Sequence, residues 1–148
     1  MFILLRVLVL GLFVSGLSTP AAAKTHSVIF INPGGEQGFW GSVTAVMQEA
    51  SKQLDIDLEV LHSNRNRLLM LEHANEIVGR DITPDVVIVV NELQQGSDLL
   101  GILGGAGVPV YFLLNTLSDN QINSVGSKLN KLPEVIGSIV PELSLIHI

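Results

Sequence analysis

Cysteine is absent from all 148 residues, so the chain has no disulfide framework, no thiolate metal site and no thiol for lipid attachment. Cations are scarce as well. Eight Lys and Arg stand against 14 Asp and Glu, a formal charge of -6, and no basic stripe exists to neutralise phosphates, which argues against a nucleic-acid partner. Aromatics are limited to five Phe, one Trp and one Tyr, which makes an adjacent pair of rings, Phe39-Trp40, conspicuous. The one long apolar run, Val7 to Leu17, is shorter than the roughly 20 residues of a spanning helix.

What is present at the start follows the grammar of a secretory leader. Arg6 supplies the cation, Val7 to Leu17 the apolar stretch, and Ala21-Ala22-Ala23 the small residues before Lys24. Cleavage is expected after Ala23, which releases a periplasmic chain one unit more negative than the precursor. About 120 mature residues suffice for one compact domain.

Strands and helices alternate after the leader, which predicts βαβ units on a parallel sheet, an α/β fold. The expected strands are 28–31, 58–61, 86–90, 108–114 and 135–140. A first helix is expected over 40–54, with Trp40, Val43, Val46, Met47, Ala50 and Leu54 forming a buried stripe. A second, over 67–79, should bury Leu71, Ala74, Ile77 and Val78, and Gly79 should stop it. The third runs from Ser97 or Asp98, either able to cap it, to Leu103, and Gly101 weakens it by about 1 kcal/mol relative to Ala. Residues 117–134 turn polar and read as a surface connection with at most a short helical piece.

Right-handed crossovers place the carboxyl ends of all parallel strands on one rim. The loops there carry Asn32 to Trp40, Ser63 to Asn66, Asn91-Glu92 and Asn115-Thr116. Amides donate and accept, carboxylates accept, and ring faces pack on the C–H surface of a sugar, so this set suits a polyhydroxylated ligand. Phe39 fits core and cleft equally. Trp40 leans to the cleft although it also starts the stripe, while Asn91 and Asn115 serve equally well to terminate strands. Asn64 and Arg65 read as capping or solvating the second turn. Gly34 and Gly35 let the first loop turn sharply; G-x-G-x-x-G is not matched, since only Gly35-x-x-Gly38 survives.

No catalytic constellation stands out. His26, His62, His73 and His147 lack metal-ligand spacing, the serines lack a G-x-S-x-G elbow, and no metal or cofactor is expected. Glu36 and Glu92 offer an acid and base pair across the rim, an arrangement two loop carboxylates reach in many proteins.

With the leader, the βαβ rhythm and Gly38-Phe39-Trp40 in view, the chain resembles the amino-terminal lobe of a type I periplasmic substrate-binding protein of the ribose-binding-like group. Asn32-Pro33 through Phe39-Trp40, Val90-Asn91, Gly107-Val108-Pro109-Val110 and Ile136-Gly137-Ser138-Ile139-Val140 carry the resemblance. It implies a three-layer, doubly wound parallel sheet, Rossmann-like, here truncated to one lobe. It also implies a small polar ligand such as a sugar, bound between two closing lobes and delivered to an inner-membrane ABC permease. Glu36, Gln37, Phe39, Trp40, Asn91, Glu92 and Asn115 become the ligand-binding candidates. The group commonly has an Asp-Arg pair after the fourth strand; Leu114-Asn115-Thr116 stands there instead. A periplasmic sensor feeding a chemoreceptor or histidine kinase shares the fold, and an exported α/β enzyme is a further alternative.

Residues 143–148 resemble the translation of a transposase end sequence used as a sequencing adapter. The expected domains are a signal peptide over 1–23, the lobe over 24–142 and a non-native tail over 143–148. A stop codon after Ile148 in genomic DNA would overturn the last of these.

Overall fold

The computed structural model describes residues 25–129 and 135–139, so the leader, Val140 and the suspected tail lie outside the described residues. Five parallel strands form one sheet: β1 (His26–Asn32), β2 (Ile56–His62), β3 (Val86–Val89), β4 (Val110–Leu113) and β5 (Val135–Ile139), in the order β2-β1-β3-β4-β5. Four helices connect them: α1 (Gly38–Gln53), α2 (Arg67–Val78), α3 (Gly96–Gly105) and α4 (Asp119–Leu129). The expected doubly wound, three-layer α/β sheet is what forms.

Strand alternation sorts the core into two layers. Ile29 and Ile31 of β1, Val87 and Val89 of β3, and Val110 and Phe112 of β4 are buried with Met70, Ala74 and Ile77 of α2, Leu99, Leu100 and Leu103 of α3, and Val125 of α4. Phe30, Ile88 and Leu113 lie on the other layer with Trp40, Val43 and Met47 of α1. Among the described residues three helices therefore share one face, and α1 covers the other. Strands clad on both faces read as β-branched runs, which is why β3 is so legible.

Several local expectations need correction. Val46 is 70% exposed and Leu54 67%, Ala50 is exposed too, and Thr44 is buried in their place. The buried stripe of α1 is thus narrower and partly polar. On α2, Met70 is buried and Val78 is exposed, while Gly79 does follow the helix as its C-cap. That helix is capped by Asn66, whose side chain accepts from the backbone N–H of Leu68 and Leu69. Neither Ser97 nor Asp98 caps α3, which starts earlier at Gly96 and has no side-chain bond from its N-cap residue Gln95. β4 begins only after Pro109, and the stretch read as a polar connection contains the 11-residue α4. Leu117 and Val125 are buried there and Ile122 packs on the core, at spacings too sparse to show as a stripe.

Arg80 ties the edge strand to α2. Its guanidinium donates to both Glu59 oxygens, at 2.5 and 2.9 Å, and to Glu76 at 2.7 Å. The Arg80 hydrogen bond holds the Glu59 carboxyl below its usual 4.5, against desolvation, and Arg80 itself is raised. A carboxylate with a depressed folded pKa stabilises above its unfolded value, and that contribution is lost as pH falls through the folded value. Arg80→Gln should therefore cost under about 1 kcal/mol at neutral pH, as half-exposed pairs do. Urea titrations of the two proteins should converge as the pH falls through the lowered Glu59 value; a gap that persists once Glu59 is protonated would refute the ion-pair origin.

Candidate functional site

β1 pairs with β2 on one side and β3 on the other, so the strand order reverses between β1 and β3, where open α/β sheets leave a crevice at their carboxyl ends. The loop after β1 rises at this point. With the start of α1 and the loop after β2 it lines a cavity of about 600 Å³, bounded by Gly34 to Trp40, His62, Asn64 and Arg65. On the far side of β3 a second hollow of about 510 Å³ is lined by Asn91, Gln94, Ser97, Thr116, Ser118, Asn120, Gln121 and Ser124.

The two loops that make the first cavity are tied by backbone. Ser63 N–H donates to Asn32 O at 2.9 Å, Asn64 N–H to Gly34 O at 3.0 Å, and Arg65 N–H to Pro33 O at 2.6 Å. Asn64 and Arg65 take left-handed φ values of 50° and 60° to make these bonds. They line the cavity rather than cap α2, the task Asn66 performs.

Phe39 and Trp40 meet edge to face, with ring centroids 5.0 Å apart and planes at 76°. Their environments are opposite. Phe39 is 62% exposed, whereas Trp40 is 8% exposed and packs with Phe30 and Val90. Gly34 explains the difference: a Cβ there would lie 2.7 Å from Trp40 Cβ and Cγ, so the indole sits under the loop because Gly34 leaves it room. Gly34 thus serves close packing more than turning. The leaning of Trp40 to the cleft is corrected in degree, since it reaches the cavity wall as a core residue, and Phe39 is the ring offered to solvent.

Beneath the loop, Asn32 is fully buried. Its Oδ1 accepts from Gly34 N–H at 2.8 Å, and its Nδ2 donates to Thr44 Oγ1 at 2.9 Å and lies 3.2 Å from His62 Nδ1 and 3.4 Å from Trp40 O. Gln37 occupies the N-cap of α1 without a capping side-chain bond. It lines the cavity with Glu36 and Arg65, so one anion and one cation border the same space. Among the described residues no group of three or more His, Asp or Glu is placed to hold a metal ion.

A crystal structure of a periplasmic sugar-binding protein from Pseudomonas fluorescens is similar to this chain, at 31% identity and a TM-score of 0.60. The chain has the fold of a periplasmic-binding-protein lobe. The similarity covers 64% of this chain and 29% of that protein; the lobe therefore spans under a third of the relative's length. No protein-family model and no curated protein matches.

The remaining candidates of the lobe fall on the second hollow or outside both. The Asn91 side chain donates to Thr116 O and Gln121 Oε1, at 2.9 and 3.0 Å, and accepts from Gly96 N–H at 3.0 Å. That last bond supplies the capping α3 otherwise lacks. Asn115 Oδ1 accepts from Asn91 N–H at 2.8 Å, tying the ends of β3 and β4. Both amides therefore make the strand-terminating bonds that were the alternative to ligand contact, although Asn91 also borders the hollow. Glu92 opens a short 3-10 turn and lines neither hollow; Glu36 does line the first, so the two carboxylates lie in different surroundings. Gln121, on α4, was missed. It reciprocates with Asn91 Oδ1 at 3.2 Å and donates to Gln94 O at 3.1 Å, and no sequence signal marks it once α4 is read as a connection. Asn32 and His62 were missed as site residues as well, yet they are register partners at the ends of β1 and β2, and aligning the two strand ends would have paired them.

Proposed function

We propose that this lobe is the amino-terminal half of a periplasmic solute-binding protein that captures a small polar ligand, a sugar, for import through an inner-membrane ABC permease. The supporting observation is the cavity between the loops after β1 and β2, at the carboxyl edge of the sheet in a lobe similar to a periplasmic sugar-binding protein, with the exposed Phe39 ring beside amide, carboxylate and guanidinium groups. Such a lobe is one wall. Closure by a second lobe supplies the remaining contacts and excludes water. Secretion by the leader over 1–23 and a periplasmic location agree with this role, which involves binding and release without covalent chemistry.

Calorimetric titration with a panel of neutral monosaccharides tests the reading. The described lobe alone should bind no more tightly than millimolar, whereas a two-lobed form should bind at least one of them far more tightly. A two-lobed form that binds none would overturn it. In that form Phe39→Ala should weaken binding by about 1–2 kcal/mol through lost stacking and apolar contact, with stability within about 0.5 kcal/mol because the ring is exposed. Unchanged affinity would remove Phe39 from the site.

A further inference from the structure

A carboxamide carries two N–H protons and two acceptor lone pairs. In Asn32 the oxygen is committed to the backbone N–H of Gly34, which fixes which way the amide points. The nitrogen then faces three acceptors: Thr44 Oγ1, His62 Nδ1 and the carbonyl of Trp40. Two protons serve the two nearer ones, and the carbonyl shares. One buried side chain thus grips the first glycine and the last aromatic of the cavity loop and fastens both to α1 and to the end of β2. His62 can accept from Asn32 only if Nδ1 carries no proton, which assigns its hydrogen to Nε2. A proton on Nδ1 would oppose two donors.

We propose that Asn32 is the positioning residue of the cavity loop and that unprotonated His62 is the acceptor completing it, so that the loop's geometry follows the protonation of His62. The consequence for ligand capture rests on the cavity being the ligand site, but the loop's own response is read without ligand, so the two ideas fail separately. Other charged or titratable groups near His62 are Glu36, which shares a small hollow with it, Arg65 across the main cavity, and His73, whose Nε2 lies 3.3 Å from His62 O.

Trp40 is the chain's one tryptophan, and its carbonyl belongs to the network, so its emission reports the loop. The experiment is a pH titration of that emission in the folded protein. In the natural sequence the emission should depart from its neutral-pH form as His62 takes up a proton. Asn32→Asp replaces the donor by a carboxylate, which needs a protonated His62; in acid its emission should resemble the natural protein's at neutral pH, and it should depart from that form as pH rises, a response of reversed sign. His62→Gln, with an amide that accepts at every pH, should abolish the response in the natural background. It keeps the test decisive if Asn32→Asp does not fold. Parallel profiles in the natural protein and Asn32→Asp, or a response that survives His62→Gln, would overturn the proposal.

Discussion

Trp40→Ala should destabilise the chain by about 3–5 kcal/mol, the range for truncating a large buried aromatic. The indole is the largest side chain on the α1 side of the sheet, where it packs with Phe30 and Val90 and is flanked by Val43 and Met47. Among the described residues α1 is the one helix on that face, so none of the other described helices can collapse into the space. Gly34 cannot fill it either, having no side chain. The loss is a large share of the 5–15 kcal/mol that typical domains possess and should lower Tm by roughly 10 °C or more. Trp40→Phe should recover most of it. Equilibrium urea unfolding decides the matter: a loss under about 1 kcal/mol would show that the indole is a cleft wall and not core.

That expectation could not be reached from sequence. The pair Phe39-Trp40 was visible, and so was the helix it opens, but which ring turns inward depends on Gly34 allowing an indole beneath the loop. The strands were readable because burial on both faces leaves runs such as Val86 to Val89 unbroken by polar residues. α1 was readable in extent and misread in its face. Its buried polar residue, Thr44, is selected by a need three-and-four spacing does not encode, an acceptor for Asn32. α4 was hidden for the related reason that Ile122 and Val125 are too few to outweigh their polar neighbours.

The rim also carries a cost the sequence conceals. Of the described non-glycine residues with left-handed φ, Asn64, Arg65, Leu93, Gln94 and Leu114 lie in the loops after β2, β3 and β4, and Asp55 lies at the other end of the sheet. Each such conformation costs on the order of 1–2 kcal/mol for an ordinary side chain. The bonds that offset this are specific to the rim. Arg65 N–H reaches Pro33 O, Gln121 holds Gln94 O, and Asn115, beside Leu114, joins the ends of β3 and β4. Strain is thus concentrated on the rim where the two hollows open, and backbone and side-chain amides together hold it there.

Gly41→Ala should be the second large effect, and its sign runs against helix propensity. Gly41 lies in the first turns of α1, where Ala ordinarily gains about 1 kcal/mol over Gly. Here the new Cβ would collide with the backbone carbonyl of Glu36, which cannot rotate away as a side-chain tip would. Either the Glu36 loop lifts or α1 shifts, and both moves disturb the seat of Trp40, so the overpacking cost should leave a net loss of about 1–3 kcal/mol. Gly101 provides the contrast. It is helical in α3 with nothing within 4 Å of a would-be Cβ, so Gly101→Ala should gain about 0.5–1 kcal/mol. The pair, measured side by side in urea, separates helix propensity from loop packing. Equal gains at both positions would mean that the Glu36 carbonyl does not press on α1 and that the cavity loop is free of the helix beneath it.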